Sequence, residues 1–214
     1  MVGQGVLREC LLDPGVERVL LVGRSASGRT GAKIREIVHK DVADLTPIEG
    51  ELSRYDACFF CLGVSSAGMR EADYKRVTYD LTVGAAGTLS RLNPGMTFIY
   101  VSGMGTDSTE RGGTMWARVK GATENALLRM PFKAAYMFRP AFIQPMHGEK
   151  AKAALTRIAL TVVGPIIPLL LRVGPKYATT TERIGRAMLN AAKDGSAKRV
   201  LESADINALG SLGG

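Results

Sequence analysis

Trp116, Lys120 and Glu124 recur at four-residue intervals in a stretch of helical spacing, which puts all three side chains on one helix face. Lys120 can bring a charge to a ligand, or it can make an ordinary ion pair with Glu124 one turn on. The Trp116 indole is a donor only and does not titrate near neutrality. Ser102 follows the apolar run Thr97 to Val101 and offers a hydroxyl at a strand end. Thr114, Tyr74, Tyr79 and His147 are further proton-bearing groups, and their spacing selects none of them. His147, in the loop after Arg139-Pro140, reads first as a surface histidine. Cys58 and Cys61 have the spacing of a redox or metal pair, but they lie in an apolar run where a strand points positions three apart to opposite faces. They read as core cysteines.

The elements that would hold these groups alternate. Residues 6–12 have helical spacing and stop at Asp13-Pro14-Gly15. Strands follow at 19–23, 34–42 and 57–62, the last unbroken in its apolarity, as in a parallel strand buried on both faces. A helix over 71–92 leads through Pro94-Gly95 to a strand at 97–101 and a helix at 115–130. One more strand at 133–139 ends at Pro140, and the remainder, 152–171 and 181–193, reads as helical. Strand-helix alternation predicts an α/β fold with a doubly wound parallel sheet, one domain spanning 1–214 with a mainly helical region at 141–214 on the substrate side.

A chain of 214 residues, 46% hydrophobic, supports one sizeable core. Its net charge of +8 is uneven: residues 1–110 hold 12 basic and 14 acidic groups, residues 111–214 hold 16 and 6. A basic second half attracts anions in general. There is no tight Lys/Arg tract and no aromatic-studded basic stripe, so nucleic acid is not expected as a partner. Three cysteines make no disulfide framework, and the N-terminus lacks a signal core, which reads as cytoplasmic. Residues 158–171 carry no charge but are too short and too broken by Gly164, Pro165 and Pro168 to span a bilayer. They read as a pocket cover or subunit contact in preference to a membrane-surface segment.

Six short motifs in order, Met1 to Val6 with Gly3 and Gly5, Val22-Gly23-Arg24, Cys61-Leu62-Gly63, Tyr100-Val101-Ser102-Gly103, Lys120, and Phe138-Arg139-Pro140, resemble the atypical and extended short-chain dehydrogenase/reductases. More narrowly they resemble the NAD-dependent epimerase/dehydratase family near the Tat-interacting oxidoreductase-like group, a nucleotide-binding Rossmann-like fold. The resemblance implies an opening strand and a Gly-x-x-Gly-x-x-Gly loop, of which only the last glycine, Gly3, has a counterpart. The expectation is therefore that the natural polypeptide starts upstream of Met1.

The same resemblance implies Ser102 and Lys120 as catalytic residues, with Trp116 where a catalytic tyrosine is expected. It implies Gly3, Arg24, Ser25, Asp44, Leu62, Gly63, Lys120, Arg139 and Pro140 around the cofactor. Arginine at position 24, where NAD-preferring relatives carry an acidic residue, favours NADP(H) over NAD(H). The expected activity is that of an oxidoreductase or epimerase-like enzyme on a small carbonyl or hydroxyl substrate. Because Trp116 cannot relay a proton, a non-catalytic NADPH-binding sensor or scaffold is the alternative.

Overall fold

A computed structural model describes residues 1–148 and 176–212. All its strand pairings are parallel, and they form three groups. Strands β1 (Val19–Gly23) and β2 (Ile34–Val38) pair with each other. The main sheet has the order β3-β4-β5-β8, from Ala57–Phe60, Thr97–Val101, Ala134–Arg139 and Val200–Glu202. A third pair joins β6 (Phe142–Gln144) to β7 (Ala178–Thr180). The edges of β1 and β3 exchange no ladder hydrogen bonds.

Side chains alternate across the main sheet, so each strand feeds two cores. Phe98, Tyr100 and Met137 join Phe60, Leu89 and Leu127 on the face covered by α4 (Leu81–Leu92) and α5 (Met115–Leu128). Ile99, Tyr136 and Phe138 join Val6, Cys10, Ile184 and Met188 on the face covered by α1 (Val2–Leu12), α6 (Thr181–Lys193) and α7 (Ser203–Leu209). This explains why β4 is hydrophobic from Phe98 to Val101: it is buried on both sides. Helices on both faces of a parallel sheet make the expected α/β, Rossmann-like architecture. Val22 of β1 packs against the first core and Val19 against the second, so apolar contact ties the β1-β2 pair to the rest.

Glycine sets the closest helix approach. A Cβ on Gly5 would lie 2.7 Å from Thr181 Cβ and 2.8 Å from its carbonyl oxygen, which lets α1 lie against α6. Gly3 is less crowded, with Cys61 Cβ at 3.4 Å from where its Cβ would stand.

Several boundaries differ from expectation. The second strand ends at Val38, not at position 42, because Asp41 turns the chain by accepting the Ala43 N–H at 3.1 Å. The third ends at Phe60, and 61–70 form a loop. The expected helix over 71–92 consists of a short α3 (Glu71–Lys75), a π-turn at Arg76–Asp80 and α4. After Pro140 the chain makes three short strands that its sequence did not announce, while α6 falls at its expected place. The helix expected over 152–171 and the apolar segment 158–171 lie outside the described residues.

Candidate functional site

The carboxyl ends of β3, β4 and β5 lie on one side of the sheet, and α1 starts there too, since Gly3 stands against Cys61 just past β3. The first helix, α1, touches both β1 and β3, which belong to separate sheets. The N-terminus of α1 carries no side-chain cap.

Ser102 follows the last residue of β4. Its N–H donates to the Phe138 carbonyl at 2.9 Å, which extends the ladder by one bond and fixes the residue. The side chain is tucked in, with 6% of the residue exposed. Its hydroxyl donates to Glu124 Oε1, and the Phe138 carbonyl is a second inward acceptor at 3.2 Å. A hydroxyl has one proton, so Ser102 spends it on the protein and turns only acceptor capacity elsewhere.

Glu124 lies three turns into α5 and is fully buried. An isolated carboxylate there would be several kcal/mol unfavourable. Arg139, at the end of β5, supplies the compensation: its Nε donates to the two carboxylate oxygens at 3.0 and 3.2 Å, and its Nη2 reaches Glu124 as well. Arg139 also meets Ser108 Oγ and, at 3.4 Å, Glu202. Hydrogen bonding to Glu124 raises its pKa further above that of a free guanidinium.

Lys120 does not form the simple pair with Glu124 that its spacing allowed. Its Nζ donates to the Ser102 carbonyl. Burial pushes the Lys120 pKa down, and the nearby charge of Glu124 works the other way. One turn earlier, the Trp116 ring packs over Gly105, whose φ of 85° suits glycine. Residues 103–113 are folded by Asp107, whose carboxylate accepts the N–H groups of Thr109, Arg111 and Gly112. The Thr109 hydroxyl, foremost, with these N–H groups holds the Asp107 carboxyl below its usual range. This loop can lie on α5 because residue 121 is glycine: a Cβ there would stand 1.7 Å from the Asp107 carbonyl oxygen.

The structure therefore brings together Ser102, Lys120, Trp116, Arg139 and Pro140, whose carbonyl accepts the Met104 N–H at 3.0 Å. Arg139, expected beside a cofactor, bonds Glu124, Ser108 and Glu202. Arg24 and Ser25 are exposed just after β1, and Leu62 and Gly63 are exposed just after β3. Asp44 caps a turn by accepting the Thr46 N–H at 3.0 Å, and Thr46 lowers its pKa.

The remaining proton-bearing groups are placed elsewhere. Tyr74 is buried, and burial pushes its pKa up. Tyr79 lies under Lys75, and His147 pairs with Glu182 at 3.0 Å. Cys58 and Cys61 are free thiols pushed up to about 12 by burial. Among the described residues no cluster of His, Cys, Asp and Glu is suited to a metal. A cavity of about 290 Å³ lined by Arg18, Arg35, Arg54 and Tyr55 is lined by residues at the opposite, amino ends of β1 and β3.

Sequence reading missed Glu124 as a member of the site. Its signal was a carboxylate in register with Lys120 on a helix face that had to be buried.

No family model matches the chain. A curated relative, the mitochondrial protein Fmp52 of Emericella nidulans, is 26% identical over 199 residues, covering 89% of this chain and 82% of its own. Among solved structures, the Bordetella bronchiseptica enzyme WbmH in complex with NAD+ has a TM-score of 0.66 at 16% identity, over 94% of this chain and 71% of that one. The protein has the fold of these enzymes. UDP-N-acetylglucosamine 4-epimerase from Bacillus cereus (TM-score 0.63, 13% identity, 97% and 79% covered) is a further match. So is DesIV, a dTDP-glucose 4,6-dehydratase from Streptomyces venezuelae solved with NAD and TYD (TM-score 0.63, 13% identity, 98% and 76% covered). Among the described residues no helix is long and apolar enough to cross a membrane.

Proposed function

We propose that the protein is a short-chain dehydrogenase/reductase-like NADP(H)-binding oxidoreductase or epimerase-like enzyme that acts on a small carbonyl or hydroxyl substrate in the cytoplasm. One observation carries this reading. At the carboxyl ends of parallel strands lie the N-terminus of α1, the bare backbone of Gly63 and the ammonium of Lys120.

Those groups fit a dinucleotide chemically. A helix N-terminus favours a pyrophosphate, and at Gly63 no atom lies within 4 Å of where a Cβ would stand, which leaves room for a ribose to approach. Lys120 would donate to the nicotinamide ribose, and Arg24 with Ser25 would meet a 2′-phosphate. When bound, the cofactor supplies hydride transfer. The lack of a ladder between β1 and β3 among the described residues supports an additional proposal. An upstream parallel strand would join the two sheets and lead, through a glycine loop, into α1. Likeness to the Tat-interacting oxidoreductase-like group belongs to the same reading.

Calorimetric titration of the natural polypeptide with NADPH and NADH tests it. Saturable binding, tighter for NADPH, is expected; no binding of either dinucleotide overturns it.

The second reading, an NADPH sensor or scaffold without turnover, is favoured by Trp116, which packs on Gly105 and offers no titratable group. Dinucleotide binding with no turnover on a panel of carbonyl and hydroxyl compounds would select it.

A further inference from the structure

The site lacks a phenol at position 116, yet it contains a buried carboxylate joined to a hydroxyl at the strand end. We infer that Ser102 and Glu124 form a proton relay that removes the proton of a substrate alcohol, Glu124 acting through Ser102 as a positioning residue. The inference rests on the enzymatic reading above and names the direction of chemistry that the hydrogen bonds suit.

The direction follows from proton placement. Ser102 donates to Glu124, with the Phe138 carbonyl as the alternative inward acceptor, so its oxygen can accept from a ligand but has no second proton to give. A substrate carbonyl needs a donor, and Ser102 is poorly set for one. A substrate hydroxyl needs an acceptor, which Ser102 is. In that direction the alcohol O–H bond breaks and its proton goes to Ser102 Oγ, while the proton of Ser102 passes to Glu124 Oε1. The carbinol C–H bond breaks as hydride to an oxidised nicotinamide, and a C=O bond forms. The alcohol is oxidised, the nicotinamide is reduced, and the proton rests on Glu124.

The surroundings fix the carboxylate against Ser102. Arg139 bonds both of its oxygens and holds them in place at the strand end. Lys120, one turn earlier on α5, faces the same strand end and adds positive charge, while Tyr100 on β4 lies near as a neutral phenol whose pKa burial raises. When Glu124 takes the proton, Arg139 keeps Glu202 as an anionic partner and Ser108 as a neutral one. Glu124 itself is fully buried, which is why its chemistry has to pass through Ser102, where 6% of the residue remains exposed.

The test uses the natural polypeptide with NADP+ or NAD+ and a panel of small alcohols, comparing wild type with Glu124→Gln, Glu124→Asp and Ser102→Ala. Dinucleotide affinity, measured by calorimetry, should be the same in wild type and in every variant. Oxidation kcat should fall roughly 10²-fold or more in Glu124→Gln and Ser102→Ala, with the double variant no worse than either single one. Glu124→Asp should restore part of kcat. Without substrate, a low-field hydroxyl proton resonance from the Ser102-carboxylate bond should be present in wild type and lost in Ser102→Ala.

Wild-type kcat in Glu124→Gln would overturn the relay, as would absence of that resonance in wild type. Dinucleotide binding with no alcohol oxidised would overturn the relay and leave cofactor binding standing. Failure to bind either dinucleotide overturns the functional reading itself.

Discussion

Glu124 and Arg139 meet across α5 and the end of β5, the guanidinium Nε lying 3.0 and 3.2 Å from the two oxygens of a fully buried carboxylate. The pair anchors the helix that carries Lys120 to the strand that supplies the Ser102 ladder bond. Its energetics are asymmetric: the intact pair is worth little net, but half of it is costly.

Arg139→Met should therefore destabilise the protein by about 3 to 5 kcal/mol in urea unfolding, because Glu124 is left charged and dry. Adding Glu124→Leu to it should recover much of that loss. A double variant less stable than the single one would show that the carboxylate is not compensated mainly by Arg139.

Gly121→Ala should cost about 1 to 3 kcal/mol despite the better helix propensity of alanine, since the new Cβ meets the Asp107 carbonyl and drives residues 103–113 off α5. Gly113→Ala, whose Cβ would have no atom within 4 Å, serves as the control and should be near neutral. Equal melting temperatures for the two variants would contradict the close approach of loop and helix.

Lys120 sets a pH dependence. Its pKa in the folded protein lies below the ordinary 10.5 because burial disfavours the ammonium, so the folded state sheds this proton before the unfolded chain does. The resulting penalty is full below the folded pKa and is relieved as pH rises through that value towards 10.5. Lys120→Met should be more stable than wild type at pH 7, with the advantage shrinking as the pH approaches 10.5. A constant difference across that range would refute the desolvation of Lys120.

Arg24→Glu should shift dinucleotide preference from NADP(H) towards NAD(H), read as the ratio of the two dissociation constants, because a carboxylate repels a 2′-phosphate and accepts from ribose hydroxyls. An unchanged ratio would remove Arg24 from the site. Trp116→Tyr should create or raise carbonyl reduction by returning a titratable hydroxyl one turn before Lys120.

The main sheet was legible because β3, β4 and β5 are short apolar runs closed by turn residues, and α6 because its apolar positions recur with helical spacing. Strand ends were less legible: what stopped β2 at Val38 was the Asp41 turn, a side-chain hydrogen bond that periodicity does not register. The strands β6, β7 and β8 have three residues each, too few to show alternation. Within the site, Ser102 and Lys120 were named through the resemblance to short-chain dehydrogenase/reductases, which implies a hydroxyl after this strand and a lysine on the next helix. Arg139 and Glu124 were not paired in advance, because 15 positions separate them and only the packing of α5 on the sheet brings them together. Gly5 rather than Gly3 proved the tight contact of α1, since the partner, Thr181, lies far along the chain.

Everything said of chemistry depends on a dinucleotide at the carboxyl ends of these strands. The most direct measurement is calorimetric titration of the natural polypeptide with NADPH, repeated with Lys120→Met. The account predicts one saturable site per chain, tighter for NADPH than for NADH and weakened by loss of Lys120. No binding of either dinucleotide, or binding that ignores Lys120, would contradict it.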